Sequence, residues 1–347
     1  MDLKQMNRLF KPQSIAVVGA SNQVGKIGHT VVKNLLESQY DGKIYPINPK
    51  DAEVQGLKAY KSVLEVPEDI DSAVITVPAS LVEQVVEECG KKGVGGLIII
   101  TSGFSEVGNR DLENRIVEIA RRYGTRIQGP NIVGTMSNSN KMNASFGPFL
   151  PFPGKATLIS QSGALLLAID ASTYTRGIGF DKLISIGNMS DIDFADCIDW
   201  LNEDEDTTCI TLYIEGFKDG RKFIESSRAA KKPIIALKSG VSAHGAAAAA
   251  SHTGSLAGAA KVYGAAFQQS GVVQASDLDN LFNRTLALSL QPPMKGDNLL
   301  IITNGGGVGV LATDAAEHSG MPLRFAPPEL QTELKKHMPE FGSAKNP

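Results

Sequence analysis

Short runs of Val, Ile and Leu alternate with amphipathic stretches through the first 130 residues. The runs Ser14 to Val18, Lys43 to Ile47, Ala73 to Val77, Leu97 to Thr101 and Thr125 to Gln128 are too short for helices and apolar at nearly every position. Such runs read as strands of a parallel sheet buried on both faces. Between them, Ser80-Leu81-Val82-Glu83 reads as a capping box opening a helix whose Val82, Val85, Val86 and Cys89 share one face. Leu112, Ile116, Ile119 and Tyr123 mark a second helix. The βαβαβαβαβ order predicts an α/β fold beginning with a Rossmann-like doubly wound domain over residues 1–130.

From Asn131 to Gly154 the periodicity is lost, and Asn, Ser, Gly and Pro gather. Residues 131–155 are therefore expected to be an inter-domain connection that crosses a cleft. Strand-like runs resume at Ala156 to Ser160, Lys182 to Ile186, Thr208 to Ile214, Pro233 to Leu237 and Gly271 to Gln274, with helices such as Ile192 to Leu201 and Asp277 to Leu290 between them. This second parallel α/β domain, residues 156–292, is flavodoxin-like in layout. After Pro292-Pro293 a third α/β unit (293–347) begins, with strands expected at Asn298 to Thr303 and Met321 to Phe325 and helices at Val308 to His318 and Glu329 to His337. Two strands cannot bury a doubly wound core. The sequence is expected to be a fragment, or this unit to be completed by something else.

Composition narrows the function classes. With a net charge of −3 and no Lys/Arg block, the chain offers no electrostatic platform for nucleic acid or an anionic membrane. No apolar run approaches the roughly 20 residues that span a bilayer, and the first residues lack the apolar core of a signal peptide. Cys89, Cys197 and Cys209 are far apart and form no CxxC pair, which argues against a disulfide framework or a cysteine-rich zinc site. A cytoplasmic protein is expected.

Four stretches carry candidate chemistry. The first strand-to-helix turn, Gly19-Ala20-Ser21-Asn22-Gln23-Val24-Gly25-Lys26-Ile27-Gly28, has glycines that let backbone approach phosphates at a helix N-terminus. It is not GxGxxG, and the second strand ends in Asn48-Pro49-Lys50, where a ribose-gripping Asp or Glu would stand in an NAD site. A phosphate-bearing nucleotide held partly by Lys26 or Lys50 fits better, with glycines serving only tight packing as the alternative. Ser160-Gln161-Ser162-Gly163 joins a strand to a helix, and its free N–H groups would hold an anion; Ser162 as a simple N-cap is the plainer reading. Glu215 stands on the C-terminal lip of a buried strand, the side of a parallel sheet that faces ligands. Finally, Ser239 to Gly258 is built almost wholly of small residues yet carries His244 and His252. A long small-residue connection in a compact domain is either functional or structureless.

Taken in order, these stretches and Val77-Pro78-Ala79, Ser102-Gly103-Phe104, Gly129-Pro130-Asn131, Tyr213-Ile214-Glu215-Gly216 and Ser251-His252-Thr253-Gly254-Ser255 form a recognisable set. The chain resembles the NDP-forming acyl-CoA synthetases, in particular the α part of ADP-forming acetyl-CoA synthetase, relatives of succinyl-CoA synthetase. The resemblance covers essentially all 347 residues. It implies an ADP-forming acid–CoA ligase working through acyl phosphate and a phosphohistidine at His252, with Glu215 orienting the imidazole. It implies a coenzyme A site at Gly19, Ala20, Ser21, Gly25, Lys26, Asn48, Pro49, Lys50, Val77 and Pro78. Phosphate and acyl groups are assigned to Asn131, Ser160, Gln161, Ser162, Gly163 and Asn188, with no metal held by this chain. Mg-ADP or Mg-ATP, phosphate and a short-chain carboxylic acid, acetate by default, complete the reactants. The ATP-grasp part must come from a β subunit or a fused domain, so a hetero-oligomer or homodimer is expected.

Residue chemistry agrees with this assignment: a carboxylate fixes the tautomer of an imidazole nucleophile and raises its basicity. His244 lacks the Ser-His-Thr-Gly context and reads as a bystander. Gly240, Gly245, Gly254 and Gly258 are candidate hinges for a histidine segment that swings between sites. One departure stands out: the family usually has a small residue after Gly-Pro-Asn, often Cys, whereas this chain has Ile132-Val133. The competing readings are a non-catalytic CoA-sensing module of a protein acetyltransferase, disfavoured by His252 with Glu215, and a dinucleotide oxidoreductase, disfavoured by the first turn and Asn48.

Overall fold

The computed structural model describes residues 2–242, 244–245, 260–292, 294–321 and 323–346. Residues 1–291 form one compact unit and residues 292–347 another. In the first unit, helix α1 (Leu3–Phe10) leads into a five-stranded sheet built from β1 (Ser14–Val18), β2 (Lys43–Ile47), β5 (Ser72–Ile75), β6 (Gly96–Ile99) and β7 (Arg126–Gln128), with the small hairpin β3 (Glu53–Val54) and β4 (Leu57–Lys58) beside it. The order is β2-β1-β5-β6-β7 with every neighbour parallel. Helices α2 (Ile27–Glu37), α3 (Ala79–Lys92) and α4 (Arg110–Arg122) connect the strands. Strands β1, β5 and β6 are buried along their whole length, which is why their sequences read as unbroken apolar runs.

A second sheet follows, in the order β14-β13-β12-β10-β11-β8-β9. Its parallel part comprises β10 (Pro153–Ser160), β11 (Phe180–Ser185), β12 (Cys209–Ile214), β13 (Ile234–Lys238) and β14 (Val273–Ala275), connected by α5 (Gly163–Arg176), α6 (Phe194–Asn202), α7 (Gly220–Arg228) and α8 (Ala260–Ser270). Helix α9 (Leu278–Leu290) closes this part of the chain. Each sheet reverses direction once: between β1 and β5 in the first, between β10 and β12 in the second. In open α/β sheets those reversal points open a crevice beyond the strand ends, where ligands bind. A continuous apolar core that includes Val17, Ile98, Ile132, Ile159, Ile184 and Ile210 joins the two sheets.

Three expectations need correcting. The stretch 131–155 is not a plain connection: it holds the antiparallel hairpin β8 (Gly134–Ser137) and β9 (Met142–Ser145), which extends the second sheet through β11. That sheet is mixed rather than purely parallel. The expected capping box at Ser80 and Glu83 does not form. Helix α3 starts two residues earlier behind Pro78, whose φ of −54° presets the entry, and no side chain caps it. Glu83 instead accepts from Arg115 Nε at 3.0 Å. In the second unit, α10 (Gly306–His318) and α11 (Pro328–Lys335) form, but neither expected strand does among the described residues. The Asn346 side chain accepts from Ile301 N–H at 2.9 Å and donates to the carbonyls of Leu299 at 2.8 Å and Arg324 at 3.0 Å. It takes backbone groups that a ladder would use.

Candidate active site

The reversal point of the first sheet is shaped by two glycines. Gly19 leaves β1 at φ +91°, a conformation that L side chains rarely adopt, and a Cβ on Gly28 would lie 2.0 Å from the Gly19 carbonyl oxygen. The glycine turn and the first turn of α2 can therefore touch only because Gly28 has no side chain. Lys26 occupies the N-cap of α2 with no side-chain cap bond, so the helix end faces outward with its N–H groups. Across the reversal, Thr76 donates both its N–H and its hydroxyl to the Val18 carbonyl at 2.9 Å. Strand β5 ends at Ile75, two residues before the expected end.

Asn48 uses its side chain on the turn itself. Its Oδ1 accepts from the Lys50 and Asp51 N–H groups at 2.8 and 3.1 Å, and its Nδ2 donates to the Ala20 carbonyl at 3.0 Å. The asparagine thus ties the end of β2 to the glycine turn. All ten residues assigned to coenzyme A by resemblance line one crevice of about 1270 Å³. Its far wall comes from the second sheet and the connection: Asn131, Ile132, Val133, Phe146, Gln161, Ser162, Gly163 and Leu167.

The reversal point of the second sheet lies at Ser160–Gly163 and Glu215–Gly216. Ser160 is fully buried and staples its turn, with Oγ donating to the Ser162 carbonyl at 2.8 Å and accepting from the Ser162 N–H at 3.2 Å. It lines neither cavity, contrary to its assignment as a phosphate contact. Ser162 is the N-cap of α5, accepting from Leu165 N–H at 3.3 Å, and it also lines the crevice. Gln161 bridges the two strand ends: its Oε1 accepts from the N–H groups of Glu215 at 2.6 Å and Gly216 at 2.9 Å.

A second, polar cavity of about 350 Å³ adjoins the crevice and shares Glu106, Asn131 and Gln161 with it. Its other lining residues include Arg110, Glu113, Asn188, Glu215 and Lys218. Asn131 and Met189 hold positive φ angles of 62° and 51° here. A Cβ on Gly187 would meet the Asn131 carbonyl oxygen at 2.4 Å, which packs the 187–190 turn against Gly129–Asn131. Asn131 and Asn188, 57 residues apart in sequence, meet side chain to side chain at 3.3 Å.

Sequence reasoning missed Ser105, Glu106, Arg110, Glu113 and Lys218. Ser102-Gly103-Phe104 just before them was noticed, but only as part of a resemblance. Burial works against ionisation of Glu106, yet the bonds it accepts from Asn188 and from the Gly103 and Phe104 N–H groups hold its carboxyl below the usual range. Partial desolvation brings the Lys218 ammonium below its ordinary value, opposed by Glu113 at 3.7 Å.

The remaining catalytic assignment, His252, lies outside the described residues, as do Gly254 and Gly258. Within the described part of the small-residue segment, Gly240 has φ +69° and His244 is exposed. The segment leaves from Lys238, at the end of β13 next to β12, the strand that carries Glu215 on its lip. Among the described residues, Asp181, Asp204 and Asp206 alone cluster closely enough to hold a metal ion, and the ammonium groups of Lys11 and Lys182 already pair with them. That cluster lines neither cavity.

A parallel sheet and a mixed sheet, each with a crevice at its reversal point, define a class, and family comparison gives it a description. Residues 13–138 match a CoA binding domain, residues 153–288 a succinyl-CoA ligase like flavodoxin domain and residues 299–347 a ligase-CoA domain. The chain is 52% identical to the α subunit of acetate–CoA ligase [ADP-forming] I of Pyrococcus furiosus, over 99% of this chain and 76% of that subunit. It is 48% identical to the acetate–CoA ligase [ADP-forming] of Methanocaldococcus jannaschii, covering 99% of this chain and 49% of that longer one. A solved structure, the dinucleotide forming acetyl-coenzyme A synthetase 1 of Ca. Korarchaeum cryptofilum in complex with phosphate and ADP, superimposes with a TM-score of 0.94 at 44% identity, over 99% of this chain and 75% of that one. The chain belongs to the ADP-forming acetate–CoA ligase family.

Proposed function

We propose that this chain is the CoA-binding, phosphohistidine-bearing part of an ADP-forming acid–CoA ligase. It would interconvert acyl-CoA, ADP and phosphate with a carboxylic acid, CoA and ATP, in concert with an ATP-grasp subunit or domain. The observation that carries the reading is the meeting of two reversal-point crevices at Asn131 and Gln161: one fits a phosphate-bearing nucleotide, the other a small anion beside a carboxylate. Residues 1–130 hold CoA, and 156–292 carry the phosphoryl chemistry. Relatives named as α subunits support the need for a partner chain.

In this reading CoA lies along the glycine turn, with its phosphates at the N-terminus of α2 and near Lys26 and Lys50. Its thioester carbonyl reaches the junction at Asn131. A phosphate oxygen, held at the start of α5 by backbone N–H groups and Gln161, attacks the carbonyl carbon. The C–S bond breaks, CoA leaves as thiolate and acyl phosphate forms. A ring nitrogen of His252 then attacks phosphorus and the carboxylate leaves with the bridging oxygen. The phosphohistidine passes its phosphoryl group to a terminal oxygen of ADP. Glu215 keeps the imidazole in the nucleophilic tautomer and stabilises the imidazolium that forms. Ile132, Val133, Phe146 and Leu167 give the junction an apolar side that suits a short acyl chain, acetate by default.

The test is reconstitution with the ATP-grasp partner. With Mg²⁺ and labelled ATP the chain should acquire an acid-labile phosphate, and adding CoA and acetate should discharge it. His252→Ala should abolish both. Retention of label and turnover in that variant refutes the reading.

A further inference from the structure

The Asn188 side chain sits at the centre of a hydrogen-bond system that the proposed chemistry has not used. Its Nδ2 donates to Glu106 Oε2 at 2.7 Å, to Glu113 Oε2 at 2.9 Å and toward Ser105 Oγ at 3.2 Å. The Ser105 hydroxyl hydrogen is committed to Glu113 Oε2 at 2.6 Å, so Ser105 can only accept from Asn188. Every group facing that end of the amide is an acceptor. Turning the amide over would set its oxygen against two carboxylate oxygens with no hydrogen between them. The orientation of Asn188 is thereby fixed: Nδ2 toward the carboxylates, Oδ1 toward Asn131.

That orientation passes to Asn131. Its Nδ2 donates to Asn188 Oδ1 at 3.3 Å. With the Asn131 amide nitrogen drawn that way, its rotamer at the junction of the two cavities is set as well. The backbone beneath it is clamped, since the Asn131 N–H donates to the Thr101 carbonyl at 3.0 Å and the Asn188 N–H to the Pro130 carbonyl at 3.1 Å. The two carboxylates are themselves held: Glu106 by the Gly103 and Phe104 N–H groups, Glu113 by the Ser105 N–H at 3.2 Å and by Lys218 at 3.7 Å. Glu113 is buried and Glu106 partly so.

We infer that Glu106 and Glu113 are positioning residues for the acyl-transfer step, acting through Asn188 to fix the Asn131 amide where the thioester carbonyl and the attacking phosphate meet. Neither carboxylate transfers a proton or touches the reacting atoms in this scheme. Their contribution is geometric, and a misplacement of about 1 Å at a reacting centre costs on the order of a hundredfold in rate. The inference rests on the function proposed above. It adds that acyl transfer and phosphoryl transfer depend on different residues of one cavity.

The experiment uses the enzyme reconstituted with its ATP-grasp partner and measures two half-reactions. One is release of CoA thiol from acetyl-CoA and phosphate; the other is labelling of this chain from ATP. Glu106→Gln combined with Glu113→Gln keeps the size of both side chains but gives Asn188 neighbours that can donate as well as accept, so the amide is no longer held one way round. It should slow CoA release by on the order of a hundredfold through kcat, leaving the KM for acetyl-CoA and the ATP-driven labelling at wild-type values. Glu113→Gln alone, which changes only the other carboxylate facing Asn188, should give the same split in smaller measure and serves where the double variant does not fold. Equal loss in both half-reactions, or loss in neither, overturns the relay. Wild-type enzyme that performs neither half-reaction overturns instead the function on which the relay rests.

Discussion

Gln161 and Asp170 show how much a single side chain can carry, in opposite senses. Gln161 Oε1 is the shared acceptor of two N–H groups on the lip of β12, and leaving partly buried donors unpaired costs about 1–3 kcal/mol. Gln161→Ala should therefore lower the unfolding free energy by about that amount. Gln161→Glu still accepts both bonds and should keep its stability, but it sets a negative charge where phosphate is proposed to sit. Its KM for phosphate should rise at unchanged denaturation midpoint; equal phosphate KM in Gln161→Glu and wild type would remove Gln161 from the phosphate site. Asp170 is the reverse case. It lies fully buried on α5, both carboxylate oxygens lack a hydrogen-bond partner, and burial raises its pKa to about 7. The folded state holds this proton up to about pH 7, whereas the unfolded chain releases it near 4, so stability falls as pH rises between those values. Asp170→Asn removes the titration. Its denaturation midpoint should exceed that of wild type at pH 8, with the advantage shrinking to nothing as pH drops to 4. A constant difference across that range would mean that the carboxyl titrates normally.

At the level of elements, the parallel strands of both sheets could be placed from sequence because burial on both faces writes itself as a continuous apolar run. The hairpin β8–β9 could not. Its strands Gly-Thr-Met-Ser and Met-Asn-Ala-Ser are buried at every position but with polar and small residues, satisfied internally, as where Thr135 pairs with Gln128 at 2.8 Å. Neither alternation nor an apolar run marks such a strand. The glycine turn and the Ser-Gln-Ser-Gly turn were legible because their chemistry is local. The cavity floor at Glu106, Glu113 and Asn188 was not, since it joins residues more than 70 positions apart. The same limit applies to the ionic clamp on α1, β11 and the end of α6. Asp204 takes Lys11 at 2.5 Å, Lys182 at 2.8 Å and the Thr207 hydroxyl at 2.6 Å. Burial opposes its charge, but the attraction of Lys182 and the bonds from Lys11, Lys182 and Thr207 prevail and bring its pKa down to about 2. A depressed carboxylate adds stability that is complete above the unfolded value near 4 and is lost as pH falls toward 2. Asp204→Asn should cost about 3–5 kcal/mol at pH 7, as expected when one partner of a buried ion pair is removed. The gap from wild type should then narrow between pH 4 and pH 2, where wild type loses the same charge. Urea midpoints at pH 7, 4 and 2.5 that keep a fixed gap would show that the clamp is packing rather than charge.

Across residues 1–291, the two sheets are coupled by the shared core and also by α1. The Phe10 ring packs tilted by 35° against Trp200, centroids 4.7 Å apart, and the indole N–H donates to Asn7 Oδ1 at 2.8 Å. Trp200 belongs to α6, on the second sheet, whereas the crevice assigned to CoA opens mainly on the first. The sole tryptophan of the chain therefore reports on the seam and lines neither cavity. If the crevice draws walls from both sheets and the core is continuous, binding at Gly19–Lys26 must stabilise the whole body, not one half. A ligand at a hundred times its dissociation constant adds about 2.7 kcal/mol to a cooperative unit that it binds only when folded. Saturating CoA should consequently shift the urea midpoint read by Trp200 fluorescence and the midpoint read by far-ultraviolet circular dichroism by the same amount. Should CoA move the circular dichroism curve and leave the Trp200 curve in place, the sheets unfold independently. The junction at Asn131 and Gln161 would then be a contact between separable domains, and its geometry would depend on how they dock rather than on the packing of a single core.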